Sequence, residues 1–265
     1  MKKYILFITI LSITANLMAF NPTGAFKIFN LAGKASKALL ALGKCANAIP
    51  EKEIAKLAQI ATKPNGLKEV NKILSKSNYI GKFGPQAGNL ILQDTYLRIA
   101  VKNGRLSSKA ATTALNNFHK TPGFRSLLSK INSSSFSQAK GHLRELEIAL
   151  SAKQRGFSTV EFGRKFADGI KKANTDLDVL LSRNGQMFAI ESKAYAGTVK
   201  DAMVKADAQS LLAFCKSHKG TTPVFCFETA PSRYAQKYLA KNKVKYIVGS
   251  AEEIATKLDI LSSLK

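Results

Sequence analysis

The stretch Asp176-Leu177-Asp178-Val179-Leu180-Leu181-Ser182-Arg183-Asn184-Gly185-Gln186-Met187-Phe188-Ala189-Ile190-Glu191-Ser192-Lys193 decides how this chain folds. Two apolar runs flank Asn184-Gly185, a dipeptide that favours a two-residue hairpin because both turn positions need a positive φ. In a regular two-residue hairpin Arg183 faces Gln186, so paired residue numbers sum to 369. That register sets Asp178 opposite Glu191 and Asp176 opposite Lys193, with facing Cβ atoms about 4.5–5.5 Å apart. Leu180, Met187 and Ala189 complete this face, and Leu177, Val179, Leu181, Phe188 and Ile190 make the other. Both faces are apolar, so the strands read as internal to a sheet.

Two carboxylates and a lysine meeting at one sheet end are unfavourable unless something positive lies between the acids. Mg²⁺ is a hard cation held by one or two carboxylates with waters and substrate phosphate, and it meets that need. The competing reading is a salt-bridged strand end in which Lys193 pairs with Asp176 and solvent screens the rest.

Outward from the hairpin, residues 138–156 have helical spacing with Gly156 as a C-terminal stop, and residues 157–162 alternate as a strand. On a helical wheel Glu145 falls inside the apolar arc of Leu146, Ile148, Ala149 and Ala152, with Glu147 just outside it. A carboxylate aimed at the core needs a partner. After the hairpin come a helix over about 198–217, a strand at 223–227, a helix near 232–241, a strand at 244–248 and a helix from Ala251. The order αβββαβαβα predicts an α/β domain with a mixed sheet. Gln209 lies in a stripe of small residues, Ala202, Ala206 and Ala213, which predicts close approach of that helix to the sheet.

Residues 35–131 are helical in pattern, with breakers at Pro50, Pro64-Asn65-Gly66, Gly84-Pro85 and Pro122-Gly123 that divide them into four to six helices. Pro50 before Glu51 and Glu53 reads as one helix start, and Ser107 or Ser108 as another. Ser133-Ser134-Ser135 reads as a linker, giving a basic helical domain at 20–132 and an α/β domain at 133–265. Residues 1–19, with Lys2 and Lys3, an apolar run and a small-residue end at Ala19, read as a signal peptide for export to the periplasm or beyond.

Charge narrows the function. The chain has 265 residues, 41 Lys and Arg against 17 Asp and Glu, and a net charge of +24. Such an excess points to a polyanion and away from a small neutral metabolite. Residues 1–140 hold 21 basic and four acidic side chains, against 20 and 13 in 141–265, so the acids sit where chemistry needs them. Cys45, Cys215 and Cys226 show no Cys-x-x-Cys spacing, and His119, His142 and His218 are scattered, which argues against a disulfide scaffold and a zinc site. Export leaves room for a Cys215–Cys226 bridge, although Cys226 lies in an apolar strand and reads as core. There is no Gly-rich P-loop and no Gly-x-Ser-x-Gly elbow.

Asp178 followed by Glu191-Ser192-Lys193 on the next strand resembles the Asp…Glu-x-Lys signature of the PD-(D/E)xK nuclease superfamily, with Leu177 where the name has proline. Gly141-x-x-x-Glu145, in a helix closed by Gly156-Phe157, resembles the first helix of the Holliday-resolvase-like and restriction-endonuclease-like branches. Gln209 resembles a downstream glutamine of several branches, and the likeness spans about residues 138–248. It implies a restriction-endonuclease-like αβββαβ core in which Asp178, Glu191 and the Ser192 backbone carbonyl bind Mg²⁺ or Mn²⁺. Lys193 would position or activate the attacking water and stabilise charge on the scissile phosphate. Glu145 would hold the metal through water, and Gln209 would contact the metal shell or the substrate backbone. Asp176 replaces Asp178 in this scheme if the strand carries a bulge.

The function expected is a secreted metal-dependent endonuclease acting on nucleic acid, DNA before RNA, of the toxin or effector kind. It leaves open an inhibitor or immunity partner. The alternative is a non-catalytic protein with a structural acidic cluster that binds nucleic acid or an anionic membrane. Residues 35–48, with Leu39, Leu40 and Leu42 beside Lys34, Lys37 and Lys44, would suit a membrane surface. A core-facing helix is the commoner source of such a stripe.

Overall fold

The computed structural model describes residues 48–77, 84–133, 135–169, 175–195, 197 and 199–263. The signal segment at 1–19 and the leucine and lysine stripe at 35–47 lie outside the described residues. Ile49–Lys265 form one compact unit.

Among the described residues the chain is α/β, with nine helices and a five-stranded sheet. Five helices come first: α1 (Glu51–Ala61), α2 (Gly66–Lys76), α3 (Gly84–Lys102), α4 (Ser108–Phe118) and α5 (Phe124–Ser133). Then follow α6 (Phe136–Gln154), β1 (Ser158–Phe166), β2 (Thr175–Arg183), β3 (Gln186–Lys193), α7 (Asp201–Ser217), β4 (Thr221–Phe227), α8 (Arg233–Lys241), β5 (Lys245–Val248) and α9 (Ala251–Ser263). The expected order from α6 onward is the observed one.

Helix ends obey local chemistry. Pro50 stands at the N-cap of α1 ahead of Glu51 and Glu53, and Ser107 caps α4 by accepting the Ala110 N–H. Ser135 and Gln138 form a reciprocal capping box at the start of α6, where two orphan backbone donors find side-chain acceptors. Gly156, at φ +83, ends that helix in the left-handed conformation that a side chain would strain. Helix α5 ends at Ser133, Ser135 caps α6, and the two helices pack on each other.

The sheet runs β1-β2-β3-β4-β5. The first three strands are antiparallel, and β4 and β5 continue parallel to β3. Parallel neighbours require crossovers, which α7 and α8 supply. One core gathers Leu180, Ala189, Phe225 and Phe227 of the sheet with Val204, Ala208, Leu211 and Phe214 of α7 and Leu239 of α8. Each valine, leucine and phenylalanine among them contributes about 1.5–3 kcal/mol on burial. Helix α6 packs against β1, β2, β3 and α9.

The hairpin register is the expected one from Arg183↔Gln186 to Val179↔Ile190, with Asn184 at φ 51 and Gly185 at φ 75 in the turn. Leu177 departs from the sequence reading. It packs in the same core as Leu180 and Ala189 rather than with Val179, so the alternation of faces is lost between Leu177 and Leu180. On β1, Gly163 at φ +58 falls between the pairs Phe162↔Val179 and Arg164↔Leu177. The Phe162 ring meets Phe118 edge-on and lies tilted against Phe124 of the helical region, whereas Phe166 reaches Phe214 of α7. Both strands thus change face at one level, and the bulge in the sheet lies on β1 between Thr159 and Glu161.

Helix α5 is fixed to β1 by backbone. The Phe162 N–H donates to the Pro122 carbonyl at 3.0 Å. Gly123, at φ +77, admits the strand so closely that a Cβ there would lie 1.8 Å from the Phe162 oxygen. Cys215 and Cys226 are both free, so the bridge left open by export is not formed. Burial pushes their thiols up to about 11 and about 12, which leaves them inert.

Candidate active site

The open end of the hairpin, away from Asn184-Gly185, lines a polar cleft of about 280 Å³. Asp176, Asp178, Glu191 and Lys193 come from β2 and β3, Lys130 from α5, His142 from α6, and Asp207 and Ser210 from α7. Five separate elements therefore supply charged or polar groups to one hollow.

Ladder pairing between β2 and β3 stops at Val179↔Ile190. Continued regularly, it would send the Ser192 N–H to the backbone of Leu177. Instead that N–H donates to Asp178 Oδ2 at 2.7 Å. A carboxylate has replaced a backbone acceptor, which frees the strand end to turn its acids into the cleft.

Lys193 is held twice, by Glu191 Oε1 at 2.7 Å and Asp207 Oδ2 at 2.8 Å. The salt bridge expected in the structural reading, Lys193 with Asp176, is not made. Asp176 pairs with Lys130 Nζ at 2.8 Å instead, at the exposed rim. Glu145 is 6% exposed, as the wheel required, and its partner is His142, whose Nδ1 lies 2.8 Å from Glu145 Oε1. Glu147 is exposed.

The acids are perturbed strongly. Burial, reinforced by Glu145, raises Asp178 well above the usual carboxylate range. Burial and then Asp178 push Glu191 up to about 8. Burial also pushes Glu145 up to about 8, opposed by Lys130 and reinforced by Glu191. Burial alone would lower Lys193, but Glu191 and Asp207 outweigh it and hold the ammonium charged. Burial and Lys130 lower His142, which favours its neutral ring. Asp176 is lowered because its bond to Lys130 overcomes burial.

Gln209 does not join this group. It is exposed on α7, as is Ala202, and Ala206 and Ala213 are half-buried, while Val204, Ala208 and Leu211 are among the buried residues of that helix. Asp207 takes the place in the cleft that the sequence reading gave to Gln209. On the same wheel Asp207 falls among Val204, Ala208 and Leu211, so the signal that singled out Glu145 was present for it too. His142 likewise shares the apolar arc of α6. Nothing comparable marked Lys130, whose place depends on how α5 docks against β1.

Among the described residues no group of three His, Cys, Asp or Glu side chains stands ready at metal-ligand spacing. The donor chemistry nevertheless fits a hard divalent cation. Asp178 and Glu191 offer carboxylate oxygens from adjacent strands, and each is driven toward protonation by burial and by neighbouring acids. Comparison with protein-family models, with curated proteins and with solved structures finds no match to this chain.

Proposed function

We propose that the cleft is the active site of a cation-dependent endonuclease that hydrolyses phosphodiester bonds of nucleic acid. The observation that carries this reading is the excess of buried acid around one doubly held lysine. Glu191 and Asp207 hold Lys193, Asp178 lines the same cleft, and Glu191 is pushed up to about 8. A purely structural cluster gains nothing from that strain, whereas a site that takes a cation uses it.

Asp178 and Glu191 would hold Mg²⁺ or Mn²⁺, with the Ser192 carbonyl as a further oxygen ligand and Glu145 behind them through water. Bound there, the ion supplies Lewis-acid polarisation of a phosphoryl oxygen and a lowered pKa for water. Lys193 stays protonated, so it serves as a fixed positive charge and donor toward the phosphate and not as a proton acceptor. Asp207 aims that ammonium from α7, and the Ser192 N–H orients Asp178. Asp178 is preferred to Asp176 as ligand because Asp176 is engaged by Lys130 at the rim. The net charge of +24 supports a polyanionic substrate, with phosphate contacts spread over the helical region.

Cleavage assays on plasmid, single-stranded DNA and transfer RNA test this directly. The parent chain is expected to cut at least one of them with Mg²⁺ and none with chelator, and Glu191→Ala and Lys193→Ala are expected to cut none. Folded protein that cuts nothing would move the assignment to a binding protein with a structural acidic pair. The same reading extends to an exported toxin or effector. Expression of residues 20–265 inside a bacterium is expected to stop growth, and unimpaired growth would count against that extension.

A further inference from the structure

We infer that Lys130, carried by the helical region, is the residue that grips a backbone phosphate of the substrate at the mouth of the cleft, and that Asp176 occupies it until substrate arrives. The inference rests on the nucleic-acid reading of the cleft and adds to it a binding residue from outside the hairpin.

Among the described residues two lysines line the cleft, and they differ in how they are held. Lys193 lies between two carboxylates, with its side chain 12% exposed, and reaches a phosphate only within that cluster. Lys130 pairs with Asp176, and the two side chains are 38% and 46% exposed. Ion pairs that wet contribute about 0–1 kcal/mol, so exchanging Asp176 for a phosphodiester oxygen costs little. A lysine is suited to the exchange, being a compact charge on a flexible stem with rotatable donors.

The position of Lys130 is nonetheless built. It lies two turns along α5 from the Pro122 and Gly123 anchor, where backbone meets backbone across to Phe162. The rings of Phe118, Phe124 and Phe162 lock the same seam at centroid distances of 5.3–6.0 Å. An added Cβ at Gly163, where φ is +58, would sit 3.8 Å from Lys130 Nζ, an ordinary contact distance, so the ammonium lies directly beside this turn of β1. The helical region thus delivers one cation, at a fixed place, to the rim of a cleft whose floor is acidic. Phosphate repelled by that floor would be captured at the rim and presented to Lys193.

The test is binding of a short fluorescent single-stranded oligonucleotide to the full chain in chelator, at low and moderate salt, which needs no cleavage. Lys130→Ala is expected to weaken binding about tenfold, as loss of one charge-assisted contact does, and to reduce the salt slope by about 0.7. Lys130→Arg is expected to restore binding. Asp176→Asn is expected to tighten binding severalfold, because it releases the lysine and removes a negative charge. Opposite signs for Lys130→Ala and Asp176→Asn are the signature of exchange. If the pair were only a strut, both variants would lower the melting temperature together and leave affinity unchanged, and that result would overturn the inference. Absence of cleavage by the parent, with the opposite signs retained, would count against the endonuclease reading and leave Lys130 as a phosphate-binding residue.

Discussion

The two ends of the β2–β3 hairpin obey different rules. At the closed end Asn184 and Gly185 take positive φ, and five successive pairs keep the register that the turn dictates. At the open end the ladder stops after Val179↔Ile190, Asp178 takes the Ser192 N–H with its side chain, and Leu177 moves to the core of the neighbouring face. Both ends belong to the same strands, only a few residues apart. Backbone pairing prevails where side chains are apolar and burial rewards a flat register. Where acids concentrate, the Asp178 hydrogen bond and ion pairs from α5 and α7 decide the geometry instead.

The sharpest way to separate the ends is to substitute the open one without unfolding it. Asp178→Asn keeps an acceptor for the Ser192 N–H and removes a buried charge, so the melting temperature should hold or rise while cleavage falls by about 10³-fold. Lys193→Ala should lose a similar factor in rate and also lose stability, because it removes the cation that joins Glu191 and Asp207. A melting curve beside a cleavage assay reads both effects.

Stability against pH probes the same end more gently. Glu145 and Glu191 keep their protons to about 8 in the folded chain, against an unperturbed value of 4.5. The folded state binds more protons than the unfolded one across that window. Their stabilising contribution is therefore complete below about 4.5 and is lost as the pH rises to about 8. In chelator the melting temperature should fall over this range, and the fall should be reduced in a Glu145→Gln, Glu191→Gln double variant.

The closed end should show the reverse pattern. Gly185→Val forces a branched side chain into φ 75 and should cost about 1–2 kcal/mol by denaturant unfolding, with activity per folded molecule unchanged. Smallest of all is Gln209→Ala. An exposed side chain outside the cleft should shift stability by less than about 0.5 kcal/mol and leave cleavage rates as they are. Asp207→Asn, two residues away, should lower the rate and so show which of the two faces the chemistry.

Much of this was legible in sequence because it is local. The Asn184-Gly185 turn, the helix caps at Pro50, Ser107 and Gly156, the burial of Glu145 and the strand and helix order all follow from short-range periodicity and backbone preference. A stripe of small residues predicts a buried Gln209, which the structure leaves exposed because small size alone does not mark the buried face. The branched and aromatic residues Val204, Leu211 and Phe214 mark that face, and Asp207 lies among them. Leu177 was assigned by strict alternation, which the change of face near Gly163 and Asp178 interrupts. Lys130 and the Asp176 pair were beyond reach, since they arise from a helix in one part of the chain docking on a strand in another.

The most direct test of the acidic cleft as a cation site is thermal unfolding of the parent chain and of Asp178→Asn at about pH 8, with and without Mn²⁺. Binding to the folded state alone raises its stability in proportion to the logarithm of free ion over Kd. The account predicts that Mn²⁺ raises the melting temperature of the parent and leaves Asp178→Asn where it was. No shift in the parent, or an equal shift in both proteins, would contradict it.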